Sequence, residues 1–192
     1  MIANLLTAVR LLLALPAAMA FARPEFISPL LLLGLLLVAI VTDYFDGIVA
    51  RRAHAASPRG QLYDHATDFV FVTAGLGGAA VAGEVSVALP ILIAVAFSQY
   101  VIDSYWFYRE KQLRMSSLGR LNGIMYFVPL VLISLSRVEV MPGNREVWTV
   151  LIMSLGYVLL FSTVVSIIDR AVAPRRSGAT ESERWGTRLR QS

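Results

Sequence analysis

Six apolar stretches, each about as long as a membrane-crossing helix, constrain most strongly how this 192-residue chain can fold. A membrane helix needs about 20 mostly apolar residues. Breaks rich in charge, Gly or Pro separate the candidates, which are Leu5–Ala22, Ile27–Ala50, Gln61–Ala82, Val85–Tyr108, Leu118–Ser136 and Val147–Ile168. A helix satisfies its own backbone hydrogen bonds, as the bilayer core requires. The sequence therefore predicts an all-α integral membrane protein with six transmembrane helices.

The composition supports membrane residence and excludes several classes of protein. Hydrophobic residues make up 57% of the chain and charged residues 16%, against about 45–50% and about 25% in soluble domains. The absence of cysteine excludes disulfide scaffolds, thiolate metal sites and thiol nucleophiles. The net charge of +4 is spread over the loops and the tail rather than along one stripe, so membrane lipids are expected partners and nucleic acid is not.

The uneven distribution of Lys and Arg predicts an orientation. If the second-to-third loop, the fourth-to-fifth loop and the tail are cytoplasmic, thirteen of the 17 basic residues lie on that side and three lie opposite. The positive-inside rule then places both termini in the cytoplasm, in a multi-pass protein of the cell inner or plasma membrane. Residues 1–173 are expected to form one membrane domain, and the polar residues 174–192 a disordered cytoplasmic tail.

Four aspartates fall where the second and third apolar stretches approach the predicted cytoplasmic side. An ionised Asp at the centre of a span costs about 2.5–3.5 kcal/mol on insertion scales, so such residues are usually functional. At about 100° per residue, the aspartates of each helix share one face with small residues. If the short loop makes the two helices antiparallel neighbours, the acidic faces converge about 10–15 Å from the helix ends. The residues concerned are Asp43, Asp46, Gly47 and Ala50 on one helix, and Gly60, Asp64 and Asp68 on the next.

This acidic cluster needs positive charge, because four carboxylates cannot all stay ionised together in a low dielectric. Arg51 and Arg10 are the arginines near enough to pair with it, and they leave a deficit of about two charges. Two divalent cations, Mg²⁺ or Mn²⁺, suit a set of hard oxygen ligands and a phosphate-bearing substrate. The alternative is structural, with small residues serving helix packing and the aspartates capping or pairing at the helix interface.

The pattern Asp43-x-x-Asp46-Gly47-x-x-Ala50-Arg51, followed after eight residues by Gly60-x-x-x-Asp64-x-x-x-Asp68, resembles without a mismatch the signature of the CDP-alcohol phosphatidyltransferases. The segment Asn4-x-x-Thr7-x-x-Arg10 is similar to the start of the family's first helix, on the nucleotide side of the site. The resemblance covers the six-span layout of the chain. Its eight fixed positions span 26 residues and are specific.

The resemblance implies a reaction in which a phosphatidyl group passes from a CDP-linked lipid to an acceptor alcohol and CMP leaves. It implies that Asp43, Asp46 and Asp64 hold two divalent ions, with Asp68 on the second. Asp68 would also act as the catalytic general base on the acceptor hydroxyl. The positions that would bind the CDP-lipid are Asn4, Thr7, Arg10, Gly47, Ala50, Arg51, Ser57 and Gly60. Members of the family are often homodimers, and the sequence does not decide the oligomeric state.

The identity of the acceptor stays open. Many phosphatidylglycerophosphate synthases have Leu-Asp-Pro-x-Ala-Asp-Lys in the third helix, whereas this chain has Tyr-Asp-His-Ala-Thr-Asp-Phe at 63–69. Glycerol 3-phosphate and other small polar alcohols therefore both remain candidates. Four basic residues could bind the phosphate of an anionic acceptor. They are equally explained as the positive charge that cytoplasmic loops ordinarily carry. The four residues are Arg109, Lys111, Arg114 and Arg120.

Two other classes of function compete with an enzyme. A cation or proton transporter also uses intramembrane carboxylates, but no second charged cluster marks an exit route and no repeat is visible. An inactive family member could serve as a membrane scaffold, although such a chain would be expected to lose at least one of the eight motif residues.

Overall fold

The computed structural model describes the backbone of residues 2–52, 58–102, 117–138 and 145–189, and the side chains of residues 8–42, 63, 65–102, 118–138 and 145–172. Over these ranges the chain is helical and contains no strand, which confirms the all-α prediction. The helices are α1 (Ile2–Ala22), α2 (Pro29–Arg52), α3 (Pro58–Val81), α4 (Ala88–Ile102), α5 (Ser117–Met125), α6 (Phe127–Ser136) and α7 (Arg145–Leu189).

The fifth apolar stretch differs from the prediction, because it forms two helices that meet at Tyr126. Pro129 has no backbone N–H, so it cannot bond to the carbonyl of Met125, and its ring crowds that turn. The interruption is local, since Tyr126 keeps helical angles (φ −66°, ψ −20°) and its N–H still donates to the Asn122 carbonyl at 3.0 Å. The single helix predicted for this stretch is thus an α5–α6 pair joined at one turn.

Among the described residues, two stretches are long and apolar enough to cross a membrane, Leu118–Ser136 and Arg145–Val172. Shorter apolar helical stretches occupy Ala8–Ala22, Pro29–Thr42 and Ala88–Ile102. Many large apolar side chains on the outside of the bundle are exposed, which water would disfavour and lipid would accept. Leu12, Val81 and Phe161 are the clearest cases, at 75%, 79% and 71% exposed.

Helix α7 extends beyond its apolar part into the polar C-terminal segment. Its backbone is helical through Leu189. Extending a helix that already exists avoids the cost of nucleation. The division into a membrane domain over residues 1–173 and a disordered tail from residue 174 onward stays a prediction.

Helix α1 packs most extensively on α3, and it also contacts α2. The α1–α3 contact is close because small residues face each other: a Cβ added to Gly78 would lie 2.1 Å from the Ala18 carbonyl oxygen. Near the middle of α1, Arg10 contacts Asp68 of α3. Because residue 10 lies beside residue 68 and residue 18 beside residue 78, the two helices run in the same direction. When successive helices cross a membrane in alternating directions, the first and third helices are parallel, as α1 and α3 are here.

Arg137 ties three elements together at the far end of α1. Its guanidinium donates to the Ala20 carbonyl (2.8 Å), to the Phe21 carbonyl (2.7 Å) and to the Glu84 carboxylate (2.8 Å). The Ala20 carbonyl needs such a donor, since the residue four positions later is Pro24, which has no N–H. Arg137 therefore joins the end of α1 to the α3–α4 loop and to the end of α6.

Burial raises the pKa of Glu84 above its ordinary value of 4.5, and this effect exceeds the opposing effects of Arg137 and Arg145. Glu84 and Arg137 lie in the breaks between predicted spans, and the sequence predicts no contact between them. The structure instead makes them a partly buried ion pair, with Arg137 10% exposed and Glu84 27% exposed.

Candidate active site

The four predicted metal ligands lie on the C-terminal half of α2 and the N-terminal half of α3. Both segments are helical, so Asp43 and Asp46 share a face at the i, i+3 spacing, and Asp64 and Asp68 share one at i, i+4. The side chains of Asp43, Asp46 and Asp64 lie outside the described residues, and the meeting of all four carboxylates stays a prediction. Asp68 is the member whose side chain is described.

Asp68 forms an ion pair with Arg10, in which Arg10 Nη1 donates to Asp68 Oδ1. The Arg10 side chain is 2% exposed and that of Asp68 is 22% exposed. The two residues are 58 positions apart in the chain, and the packing of α1 on α3 brings them together. Arg10 is one of the two arginines expected to neutralise the acidic cluster. The structure pairs it with Asp68, the residue predicted to act as the general base.

The rotation of α3 around its axis is fixed on both sides of Asp68. The ring of Phe69 stacks on that of Phe97 from α4, with centroids 4.1 Å apart, and Phe71 stacks on Phe127 from α6 at 6.3 Å. Thr67 is buried and its hydroxyl donates to the Tyr63 carbonyl one turn earlier, at 2.8 Å. Asp68 lies between Phe69 and Phe71 on the helical wheel, and its ion pair with Arg10 directs it toward α1.

The donor chemistry of the site fits divalent cations bound by oxygen. The two helices carry four carboxylates, and the chain has no cysteine to favour a softer metal. Among the side chains that are described, no three acidic or histidine residues come together as a metal site. Three of the four predicted ligands are not among those side chains.

Most other predicted site residues also lie where side chains are not described. On the CDP-lipid side these are Asn4, Thr7, Gly47, Ala50, Arg51, Ser57 and Gly60, and among the acceptor candidates they are Arg109, Lys111 and Arg114. Their roles stay predictions. Arg120 is described, and it is exposed on α5.

A buried polar contact that the sequence analysis missed fixes α5 to α7 near Arg120. Ser162 donates to the Asn122 side-chain oxygen at 2.7 Å, and the hydroxyls of Tyr126 and Thr163 lie 2.7 Å apart. Asn122 and Thr163 are 3% and 0% exposed. Polar residues inside apolar stretches were the available signal, because such groups need partners within a membrane.

The described fold and the sequence motif together define a class: a protein that is helical over its described residues, has apolar outer surfaces and carries an acidic motif on two consecutive helices. Residues 1–172 match the family model described as CDP-alcohol phosphatidyltransferase, and the chain belongs to this family. The resemblance predicted from the sequence motif is confirmed.

One curated relative shows what a member of this family does. It is a CDP-diacylglycerol–glycerol-3-phosphate 3-phosphatidyltransferase of Mycoplasma genitalium, 31% identical over an alignment 150 residues long that covers 68% of this chain and 63% of the relative. The chain thus spans a little under two thirds of that relative's length.

Proposed function

We propose that this protein transfers a phosphatidyl group from a CDP-linked lipid to an acceptor alcohol and releases CMP. The family match over residues 1–172 is the observation that carries the proposal. It is supported by the complete motif on α2 and α3, and by the ion pair that holds Asp68 beside the buried Arg10.

Asp68 is the group we assign to the chemical step. Its carboxylate accepts the proton of the acceptor hydroxyl while the hydroxyl oxygen attacks the phosphorus attached to the lipid. A bond forms between that oxygen and the phosphorus, the bond from the phosphorus to the bridging oxygen of the diphosphate breaks, and CMP leaves with that oxygen.

Asp43, Asp46, Asp64 and Asp68 are the residues that would hold two divalent ions, Mg²⁺ or Mn²⁺. Bound there, such ions would neutralise the carboxylates and the charge of the diphosphate. The small residues Gly47, Ala50 and Gly60 lie on the same helix faces, where they leave room for the ligand to approach the backbone.

Glycerol 3-phosphate is the first acceptor to test, because the curated relative is named for it. The replacements at residues 63–69 keep another small polar alcohol in competition. Arg109, Lys111, Arg114 and Arg120 are the candidates for binding an acceptor phosphate.

We also propose six membrane spans with both termini cytoplasmic, in the cell inner or plasma membrane, and a site open to the cytoplasm. The parallel course of α1 and α3, the apolar outer surfaces and the excess of Arg on one side support this arrangement.

The test is CMP release by the purified full chain in micelles containing CDP-diacylglycerol and Mg²⁺ or Mn²⁺. The acceptors are glycerol 3-phosphate, serine, inositol phosphate, inositol and phosphatidylglycerol. Asp68→Asn should lower CMP release by about 10²–10⁴-fold, the usual contribution of a general base. Asp169→Asn, which alters an exposed aspartate of α7 outside the motif, should leave it unchanged.

Absence of CMP release with every acceptor would overturn the enzyme proposal. Metal uptake into vesicles carrying the protein would then favour a transporter. If the protein shows neither CMP release nor metal uptake, the result would favour a membrane scaffold.

A further inference from the structure

Arg10 is the charged side chain that the bundle buries most completely in the described part of the chain, at 2% exposed. An arginine is always ionised, and a buried charge is tolerated only when an anion and hydrogen bonds compensate it. Asp68 supplies that anion from α3. The family motif suggested a different use for Arg10, as a contact to the CDP-lipid.

The geometry of the contact favours an effect on Asp68. Arg10 Nη1 donates to one carboxylate oxygen, Oδ1. A charge-assisted bond of this kind restricts rotation of the carboxylate and so determines where the second oxygen, Oδ2, lies. A general base must hold its accepting oxygen within hydrogen-bond reach of the proton that it removes.

The backbone that carries Arg10 is itself held in place. Along α1, the Ala18 carbonyl lies against Gly78 of α3. This contact fixes the height of α1 against α3. It therefore fixes the position of the guanidinium against the carboxylate.

We propose that Arg10 is a positioning residue, which orients the Asp68 carboxylate for proton acceptance and does not bind the CDP-lipid. The inference rests on the role proposed above for Asp68. The two roles of Arg10 predict opposite kinetic changes. Loss of orientation lowers kcat, whereas loss of a lipid contact raises the KM for the CDP-lipid.

The kinetic test compares Arg10→Gln and Arg10→Lys with wild type, using CDP-diacylglycerol and the best acceptor. Arg10→Gln should lower kcat by about 10–100-fold, the usual effect of losing a residue that orients a functional group, with the KM for CDP-diacylglycerol unchanged within about twofold. Arg10→Lys keeps the positive charge but lacks the planar guanidinium with its fixed N–H donors. Its kcat should therefore lie between that of Arg10→Gln and that of wild type. A rise of about tenfold or more in this KM at unchanged kcat would overturn the inference.

Arg137→Gln is the matched control, because it removes a second, partly buried arginine that binds the C-terminal end of α1 and contacts no residue of α3 among the hydrogen bonds described above. It should lower the unfolding temperature and leave kcat and KM unchanged. If it lowers kcat as much as Arg10→Gln does, the kinetic loss reflects general loosening of α1 and the inference fails.

A readout independent of activity is the unfolding temperature in EDTA of Arg10→Gln, Asp68→Asn and the double variant. Each single change leaves one charge without its partner, so the loss in the double variant should be smaller than the sum of the two single losses. Additive losses would show that the two side chains are not coupled and would overturn the inference. If Arg10→Gln does not fold, Arg10→Lys carries both measurements.

These experiments separate the failure of the inference from that of the proposed function. If wild type releases no CMP with any acceptor, the proposed function fails and the inference fails with it. If wild type is active and Arg10→Gln changes only the KM for the CDP-lipid, the function stands and the inference alone fails.

Discussion

The close packing of α1 on α3 predicts that Gly78 cannot be replaced even by alanine. A Cβ at residue 78 would lie 2.1 Å from the Ala18 carbonyl oxygen, 3.0 Å from its carbon and 3.1 Å from the Ala22 nitrogen. Ordinary contact begins at 3.4 Å, so the helices would have to separate by about 1.3 Å at this point. All three atoms belong to the backbone, and no side-chain rotation can relieve the contact.

The expected cost lies at the upper end of the range for overpacking, about 2–3 kcal/mol. For a chain of this size that corresponds to a loss of about 4–12 °C in unfolding temperature. The separation would also move Arg10 away from Asp68. Since a displacement of about 1 Å in a reacting site can cost about 10²-fold, CMP release should fall by more than the stability loss explains.

Gly77→Ala is the matched control, because a Cβ at the neighbouring residue meets nothing within 4 Å. Alanine is the better helix former by up to about 1 kcal/mol, so this variant should be as stable as wild type or more stable. The assay is thermal unfolding of both variants in the same micelles, together with CMP release at 25 °C. Equal unfolding temperatures for Gly78→Ala and Gly77→Ala would refute the α1–α3 packing described above.

Three further predictions concern other parts of the chain. The raised pKa of Glu84 means that the folded state binds its proton more readily than the unfolded state, so the stability contributed by this group should increase as pH falls through the folded pKa toward 4.5. The unfolding temperature of wild type minus that of Glu84→Gln, measured between pH 8 and pH 4.5, should therefore rise on acidification, and a flat difference would contradict the assignment. Tyr126→Phe removes the hydroxyl that lies 2.7 Å from Thr163 and should cost about 0.6–1.5 kcal/mol of unfolding free energy. Tyr157→Phe, at a tyrosine 60% exposed, should cost nothing measurable, and equal losses in the two variants would count against the α5–α7 contact. EDTA should abolish CMP release and added Mg²⁺ or Mn²⁺ should restore it, whereas full activity in EDTA would exclude the proposed metal requirement.

Much of the helical architecture could be predicted, because apolar length and charged breaks identify helices without any tertiary information. The fifth span has the predicted bounds, Leu118–Ser136, but the sequence analysis did not predict the break at Tyr126. Pro129 inside an otherwise uniform apolar run was the available signal. Composition alone also does not show how far a helix extends into a polar segment, so the end of α7 at Leu189 was not predicted.

The candidate site was only partly predictable. The sequence identified Arg10 as one of two arginines near enough to pair with the acidic cluster. It could not show that Asp68 is the carboxylate that Arg10 binds, since the two residues are 58 positions apart and meet only when α1 packs on α3. The same limit hid the pairing of Glu84 with Arg137, 53 positions apart.

The contacts along α1 give this helix a different role from the lipid contact that its motif suggests. Arg137 binds the carbonyls of Ala20 and Phe21 at the C-terminal end of α1, Gly78 admits the Ala18 carbonyl within one turn of them, and Arg10 contacts Asp68 near the middle of the helix. Residues 10 and 18 are about 12 Å apart along a helix, and residues 68 and 78 about 15 Å. The contacts at Gly78 and at Asp68 set the register between α1 and α3, whereas Arg137 ties α1 to α6 and to the α3–α4 loop. The geometry at Asp68 therefore depends on the packing of α1 on α3 as well as on the acidic motif itself.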